Sequence, residues 1–115
     1  MQVQRQYLFL ADLNPNMGTE PGKVRPVVVL QSNLLNSVHP STIICPLTTK
    51  VSPGVHLLRV HIKKGQAGLP HDSDVLLDQI RAIDNRRLLK ILGKLPDSIF
   101  EKVLENVMTV LDLAI

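Results

Sequence analysis

The connections constrain this chain more than any other feature. Its apolar runs are short, at residues 7–13, 27–30, 42–47, 55–62, 75–77 and 90–95. The turn-rich stretches between them are too short for helical crossovers. A parallel strand pair needs a crossover of about a dozen residues or more, so the sheet is expected to be mostly antiparallel. A small barrel or a strongly bent sheet is the economical solution. Residues 85–89 read as a short helical turn. The helix expected from residue 96 to the end is different in kind. Ile99, Val103, Val107, Val110 and Ala114 fall at helical spacing, as do Phe100, Leu104, Met108, Leu111 and Ile115. Together they form one wide apolar stripe. Glu101, Lys102, Glu105, Asn106 and Asp112 fall opposite it. Pro96 suits a first turn, and Asp97 or Ser98 can feed the positive end. The fold class is therefore mainly β with helices, α+β, closed by a C-terminal amphipathic helix. All of residues 1–115 are expected to form one domain.

Residues 17–30 organise the rest. The first half is a loop with Gly18, Pro21 and Gly22 that carries Glu20 and Lys23; the second is the unbroken apolar run Val27-Val28-Val29-Leu30. Such a run reads as a buried strand. Arg25 sits at the joint with Pro26 behind it. A residue before proline is pushed into extended geometry, so the guanidinium leaves a rigid element. Held this way it can receive a phosphate or carboxylate bidentately, or cap the strand through a structural ion pair.

Composition removes several classes. Aromatics make up 3% and there is no Trp, which argues against a base-stacking platform. The net charge of +3 allows a polyanionic partner without demanding one. The single Cys45 lies in the apolar run Ile43-Ile44-Cys45 and reads as a buried, inert thiol. A disulfide framework and a thiolate metal cluster are excluded. No apolar stretch approaches the roughly 20 residues of a membrane span. Met1-Gln2-Val3-Gln4-Arg5-Gln6 does not read as a secretory signal, so a cytoplasmic protein is expected. A hydrophobic fraction of 44% is high for this length and suggests a subunit interface.

Nucleophile and metal signatures are weak. No Gly-x-Ser-x-Gly elbow occurs. His39, His56, His61 and His71 are scattered without ligand spacing, so no metal or cofactor is expected. Three polar clusters remain, each at the end of an apolar run: residues 20–25, residues 48–50, and Asp78-Gln79 with Arg81. In a small barrel such loops gather on one rim. An Arg, a hydroxyl, an amide and carboxylates together suit a phosphodiester: charge for the phosphate, hydrogen bonds for oxygens or base edges, a carboxylate for the proton.

Gly18-Thr19-Glu20 followed by Lys23-Val24-Arg25-Pro26-Val27-Val28-Val29 resembles the signature of the MazF/PemK family of toxin endoribonucleases. Asp12-Leu13-Asn14-Pro15 is similar too. So are Cys45-Pro46-Leu47-Thr48-Thr49, Asp78-Gln79-Ile80-Arg81-Ala82-Ile83-Asp84 and the closing Leu92-Gly93-Lys94-Leu95 with its helix. The resemblance covers essentially the whole chain. It implies an SH3-like antiparallel β-barrel of the CcdB/PemK/MazF type and a homodimer. It further implies metal-independent, sequence-specific cleavage of single-stranded RNA. The partner implied is a cognate, MazE-like antitoxin with an acidic, initially disordered tail.

Carried over position by position, the resemblance implies that Arg25 and Thr48 are catalytic and that the following steps are theirs. The 2′-hydroxyl attacks the adjacent phosphate and leaves a 2′,3′-cyclic phosphate and a 5′-hydroxyl. Arg25 stabilises the phosphorane, Thr48 holds a phosphate oxygen, and Glu20 orients Arg25 or acts as base. Asp78, Gln79 and Arg81 line the RNA groove with Thr49, and Met17 is a candidate base contact. Thr19 stands where the PemK/Kid branch has a His, and Leu76 where it has an Arg. The resemblance is therefore better to the chromosomal MazF arrangement, which implies Glu20 or Asp78 as the base. Two alternatives stand beside this reading: a CcdB-like gyrase-binding toxin, and a catalytically inactive partner-binding dimer. CcdB-like toxins end in an aromatic tail, whereas this chain ends Leu113-Ala114-Ile115.

Overall fold

The computed structural model describes residues 1–15, 17–19 and 22–113. Among the described residues seven strands and two α-helices follow one another. They are β1 (Tyr7–Asp12), β2 (Val24–Val29), α1 (Asn33–Asn36), β3 (Ser41–Thr48), β4 (Arg59–Ile62), β5 (Ser73–Leu76), β6 (Arg81–Asp84), β7 (Leu88–Lys94) and α2 (Asp97–Val110). Every strand pair is antiparallel. The order is β4-β5-β3-β2-β1-β7, with β6 also on β3. Among the described residues β4 and β7 do not pair, so the bent sheet is left open rather than closed into a ring.

The unbroken valine run makes sense because β2 is covered on both sides. Val28 joins a core with Leu8, Cys45, Leu47, Val60, Ile62, Val75, Leu77, Phe100 and Val103. Val27 and Val29 join a second core with Phe9, Ala11, Leu13, Ile44, Ile83 and Leu88. A strand buried on both faces loses the alternation that a half-exposed strand shows.

β5 and β6 act as one interrupted strand. Leu47 faces Val75, while Ile44 faces Arg81. Three steps along β3 are thus matched by six along its partner. The surplus is taken up by the 3-10 turn Leu77–Gln79, which buries Leu77 and pushes Asp78 outward. Pro46 lies on β3 where this register breaks, and a proline in a sheet interior needs such a break.

Three sequence expectations change in detail. β4 starts only at Arg59; residues 55–58 are loop. Asn106 is not on a solvated face: it is buried, and its Nδ2 donates to the His56 carbonyl at 2.9 Å. The loop before β4 therefore covers that side of α2. The helix stops at Val110, with Leu111 and Asp112 in a turn; Ala114 and Ile115, expected on its stripe, lie outside the described residues. Short α1 begins at a Ser32 cap whose side chain accepts from the Leu34 amide.

Candidate active site

The first loop has a closed neck. The Leu13 amide donates to the Lys23 carbonyl at 2.8 Å, and the Lys23 amide donates to Asn14 Oδ1 at 2.8 Å. Lys23 takes a positive φ of 68° to make this turn. β2 then starts at Val24, so Arg25 is strand-like, as Pro26 behind it requires.

Val27 faces Pro46 in the β2–β3 register. The printed pairing ends there, and the Arg25 side chain reaches across to the backbone just before Thr48. Arg25 Nε donates to the Gly22 carbonyl at 2.8 Å, and Nη1 donates to the Leu47 carbonyl at 3.1 Å. Both bonds go to backbone oxygens, so the guanidinium is aimed without being neutralised by them. Burial pushes its pKa down, since removing water disfavours the charged form. Thr48 Oγ1 accepts the Lys50 amide at 3.2 Å. Its hydroxyl hydrogen is left to point elsewhere.

These two residues share a cavity of about 230 Å³ lined by Lys23, Val24, Arg25, Pro26, Leu47, Thr48, Thr49, Lys50 and Ser73. Three cations and three hydroxyls face it, and no carboxylate among the described residues does. Such a set is suited to an anion flanked by hydrogen-bond acceptors.

The other expected site residues fall differently. Thr49 lines the cavity with Thr48. Met17 is 72% exposed at the first loop and does not line it. Asp78 and Gln79 occupy the 3-10 turn, and Arg81 opens β6 opposite Ile44; none of the three lines this cavity. Asp78 instead makes itself felt at Cys45. Burial first, and the Asp78 charge second, raise that thiol to about 12. The thiol is buried and inert, as expected. Glu20 lies outside the described residues. The sequence assigned no role to Lys23, Lys50 or Ser73, although Lys23 lies in the first motif and Lys50 directly follows Thr49.

A second polar group went unnoticed in the sequence. Asp74 is 2% exposed. Its carboxylate accepts from the Ser52 amide at 2.8 Å, Arg59 Nη1 at 3.1 Å and His61 Nδ1 at 3.1 Å. Burial alone works to raise its pKa, but the Ser52, His61 and Arg59 contacts outweigh it and hold the group below the ordinary value. His61 is exposed on β4, as expected of a surface histidine, and its ring is turned toward this carboxylate. Among the described residues no cluster of His, Cys, Asp and Glu could hold a metal ion.

Residues 4–111 match the family model of PemK-like, MazF-like toxins of type II toxin–antitoxin systems. The chain belongs to that family. It is 37% identical over 103 residues to the endoribonuclease EndoA of Bacillus subtilis, covering 90% of this chain and 89% of EndoA. The fold matches MazF from Deinococcus radiodurans with a TM-score of 0.85 at 24% identity, over 98% of this chain and 99% of that one. A mycobacterial endoribonuclease solved with its cognate antitoxin matches with a TM-score of 0.78 at 19% identity, over 96% of each chain. No helix among the described residues is long and apolar enough to cross a membrane.

Proposed function

We propose that this chain is the toxin of a type II toxin–antitoxin pair, an endoribonuclease that cuts single-stranded RNA with Arg25 and Thr48 at the reacting phosphate. The observation that carries the assignment of residues is their meeting on adjacent strands at one cationic cavity, in a chain of the MazF-like family. EndoA is named an endoribonuclease, and relatives of this fold have been solved with antitoxins. That company favours the ribonuclease over a gyrase-binding toxin.

The chemistry follows from the cavity. The scissile phosphate sits against Arg25, with Lys23 and Lys50 at the same cavity facing the phosphates on either side of it. The ribose 2′-oxygen loses its proton to a carboxylate base, Glu20 or Asp78, and attacks phosphorus. The O2′–P bond forms and the P–O5′ bond breaks. The 5′-oxygen leaves as a hydroxyl with a proton donated by Arg25, and the new 3′ end is a 2′,3′-cyclic phosphate. Charge grows on the non-bridging oxygens at the phosphorane. A half-buried guanidinium already fixed by Gly22 and Leu47 stabilises it without reorganising. The Thr48 hydroxyl donates to one of those oxygens. Thr49, Gln79, Arg81 and Met17 contact flanking nucleotides. The nucleophile is the substrate's own hydroxyl, so no metal is required and DNA is not cut. Residues 1–115 act as one domain in a cytoplasmic homodimer, and the acidic tail of a MazE-like antitoxin competes with RNA for the same cations.

The test is cleavage of a long single-stranded RNA in EDTA, with matched DNA alongside and the new ends mapped. Cuts at a short motif with cyclic phosphate and 5′-hydroxyl ends are expected, absent on DNA. Arg25→Ala is expected to fold and dimerise normally and to lose at least about a hundredfold in rate, roughly 3 kcal/mol of barrier. Folded dimer that cuts no RNA rejects the function, and a fully active Arg25→Ala rejects the assignment of Arg25.

A further inference from the structure

The Arg59–Asp74 group touches the segment that delivers Thr48. The chain leaves β3 at Thr48 and turns at once, with the Lys50 amide donating to Thr48 Oγ1 at 3.2 Å. The next two links run outward to the buried pair. Arg59 Nη1 donates to the Lys50 carbonyl at 3.0 Å and to Asp74 Oδ2 at 3.1 Å. Asp74 Oδ2 also accepts the Ser52 amide at 2.8 Å. Register tightens the connection. Thr48 faces Asp74 across β3–β5, and Asp74 faces His61 across β5–β4. Ser73, next to Asp74 in β5, lines the Arg25 cavity. Asp74, Arg59 and His61 line a separate cavity of about 300 Å³ behind residues 51–56. The pair thus stands behind the wall of the reaction cavity and not inside it.

We infer that Arg59 and Asp74 are positioning residues: together they clamp residues 48–52 so that the Thr48 hydroxyl faces the scissile phosphate and Thr49 and Lys50 face the nucleotides beside it. The inference rests on the ribonuclease function proposed above. Its physical basis is the number of anchors on so short a segment. Residues 49–52 follow the end of a strand and have no ladder of their own. Two backbone groups, the Lys50 carbonyl and the Ser52 amide, are fixed by one ion pair. Asp74 is buried, and its charge is matched by a donor set that only this loop geometry completes. The depressed pKa of Asp74 agrees with a carboxylate that stays ionised in this role. A shift of the loop by about 1 Å would misplace the hydroxyl by enough to cost up to about a hundredfold in rate.

Arg59→Gln and Asp74→Asn test it. Asp74→Asn is isosteric and keeps an acceptor for the Ser52 amide, while Arg59→Gln removes the guanidinium and leaves a shorter polar side chain. Arg59→Lys serves as the milder third variant, keeping the charge but on a shorter side chain without the planar guanidinium that sets Nη1 between its two acceptors. Thermal melting selects variants that remain folded. Two quantities are then read: amide hydrogen exchange of residues 48–52, and kcat and KM on a defined RNA. The expected result is faster exchange confined to residues 48–52, a kcat lower by about tenfold to a hundredfold, and KM changed by less than about threefold. Unchanged exchange in a folded variant overturns the inference whatever the activity. Faster exchange with wild-type kcat overturns it as well. Wild-type protein that leaves RNA intact rejects the underlying function instead, a failure separate from either of these.

Discussion

At the scale of the residue, environment decides role more than identity does. Arg25 and Arg59 are both half-buried arginines near strand ends. Arg59 spends its charge on Asp74, whereas Arg25 bonds only to backbone carbonyls among the described residues and keeps its charge for a ligand. The carboxylates divide the same way. Asp78 lies off the wall of the Arg25 cavity, so Asp78→Asn is expected to raise KM and leave kcat within a fewfold. Glu20→Gln is expected to lose most of kcat and to flatten the acid limb of the pH–rate profile. A profile flattened by Asp78→Asn instead would move the base to Asp78. Asp74 has a pH signature of its own. Its folded pKa lies below the ordinary carboxylate value. Its contribution to stability is therefore complete above that ordinary value, about 4, and is lost as pH falls through the lower, folded one. Wild-type melting temperature is expected to drop more steeply below about pH 4 than that of Asp74→Asn. Parallel curves would show that Asp74 is not the group responsible. Cys45, raised to about 12, is expected to resist thiol reagents at pH 8 until the protein unfolds.

At the scale of the element, residue pattern and residue contact were not equally legible. The helix stripe, the valine strand and the antiparallel sheet followed from periodicity and connection length. Pro26 marked Arg25 as strand-like and Thr48 fell at the end of an apolar run, but the pairing of the two at one site was implied only by the family resemblance. Residues 55–58 resembled strand because they are apolar, yet they form a cover over Asn106 of α2, and composition does not separate those two uses. α1 was missed because four residues are too few to show a helical period. The Arg59–Asp74 pair was invisible for another reason. Its members are 15 residues apart on neighbouring strands, and register is set by turn geometry and burial of the whole sheet. The same register creates tight spots. β7 shifts against β1 between Leu8 and Phe9, and Gly93 there passes the backbone of residue 67. A Cβ on Gly93 would lie 2.8 Å from the Ala67 carbonyl carbon and 2.9 Å from its oxygen. Both neighbours are backbone, so they cannot turn aside. Gly93→Ala is expected to cost about 1–3 kcal/mol, read as a lower denaturant midpoint at unchanged slope. An unchanged midpoint would mean that the turn at Gln66–Gly68 yields without cost.

At the scale of the whole molecule, a net charge of +3 on 115 residues is too small to bind RNA by bulk attraction, so the placement of the cations matters. Lys23, Arg25 and Lys50 meet at one cavity, while Arg86 is paired with Asp84 and Arg59 with Asp74. Binding of a single strand at that cavity should therefore release counterions from about two or three phosphates. The logarithm of affinity falls by about 0.7 per neutralised phosphate for each decade of salt on single-stranded nucleic acid. An RNA carrying a 2′-deoxy sugar at the cleavage site binds without reacting and allows a true equilibrium measurement. Its slope is expected near −2 for the wild type. Lys50→Gln should reduce the magnitude by about 0.7 and leave the cut sequence unchanged, because a phosphate contact carries no base information. Thr49→Ala, facing the same cavity without charge, should leave the slope alone and change base preference. If Lys50→Gln altered sequence preference without altering the slope, the cavity would be reading bases, and the phosphate path would have to run elsewhere on the molecule.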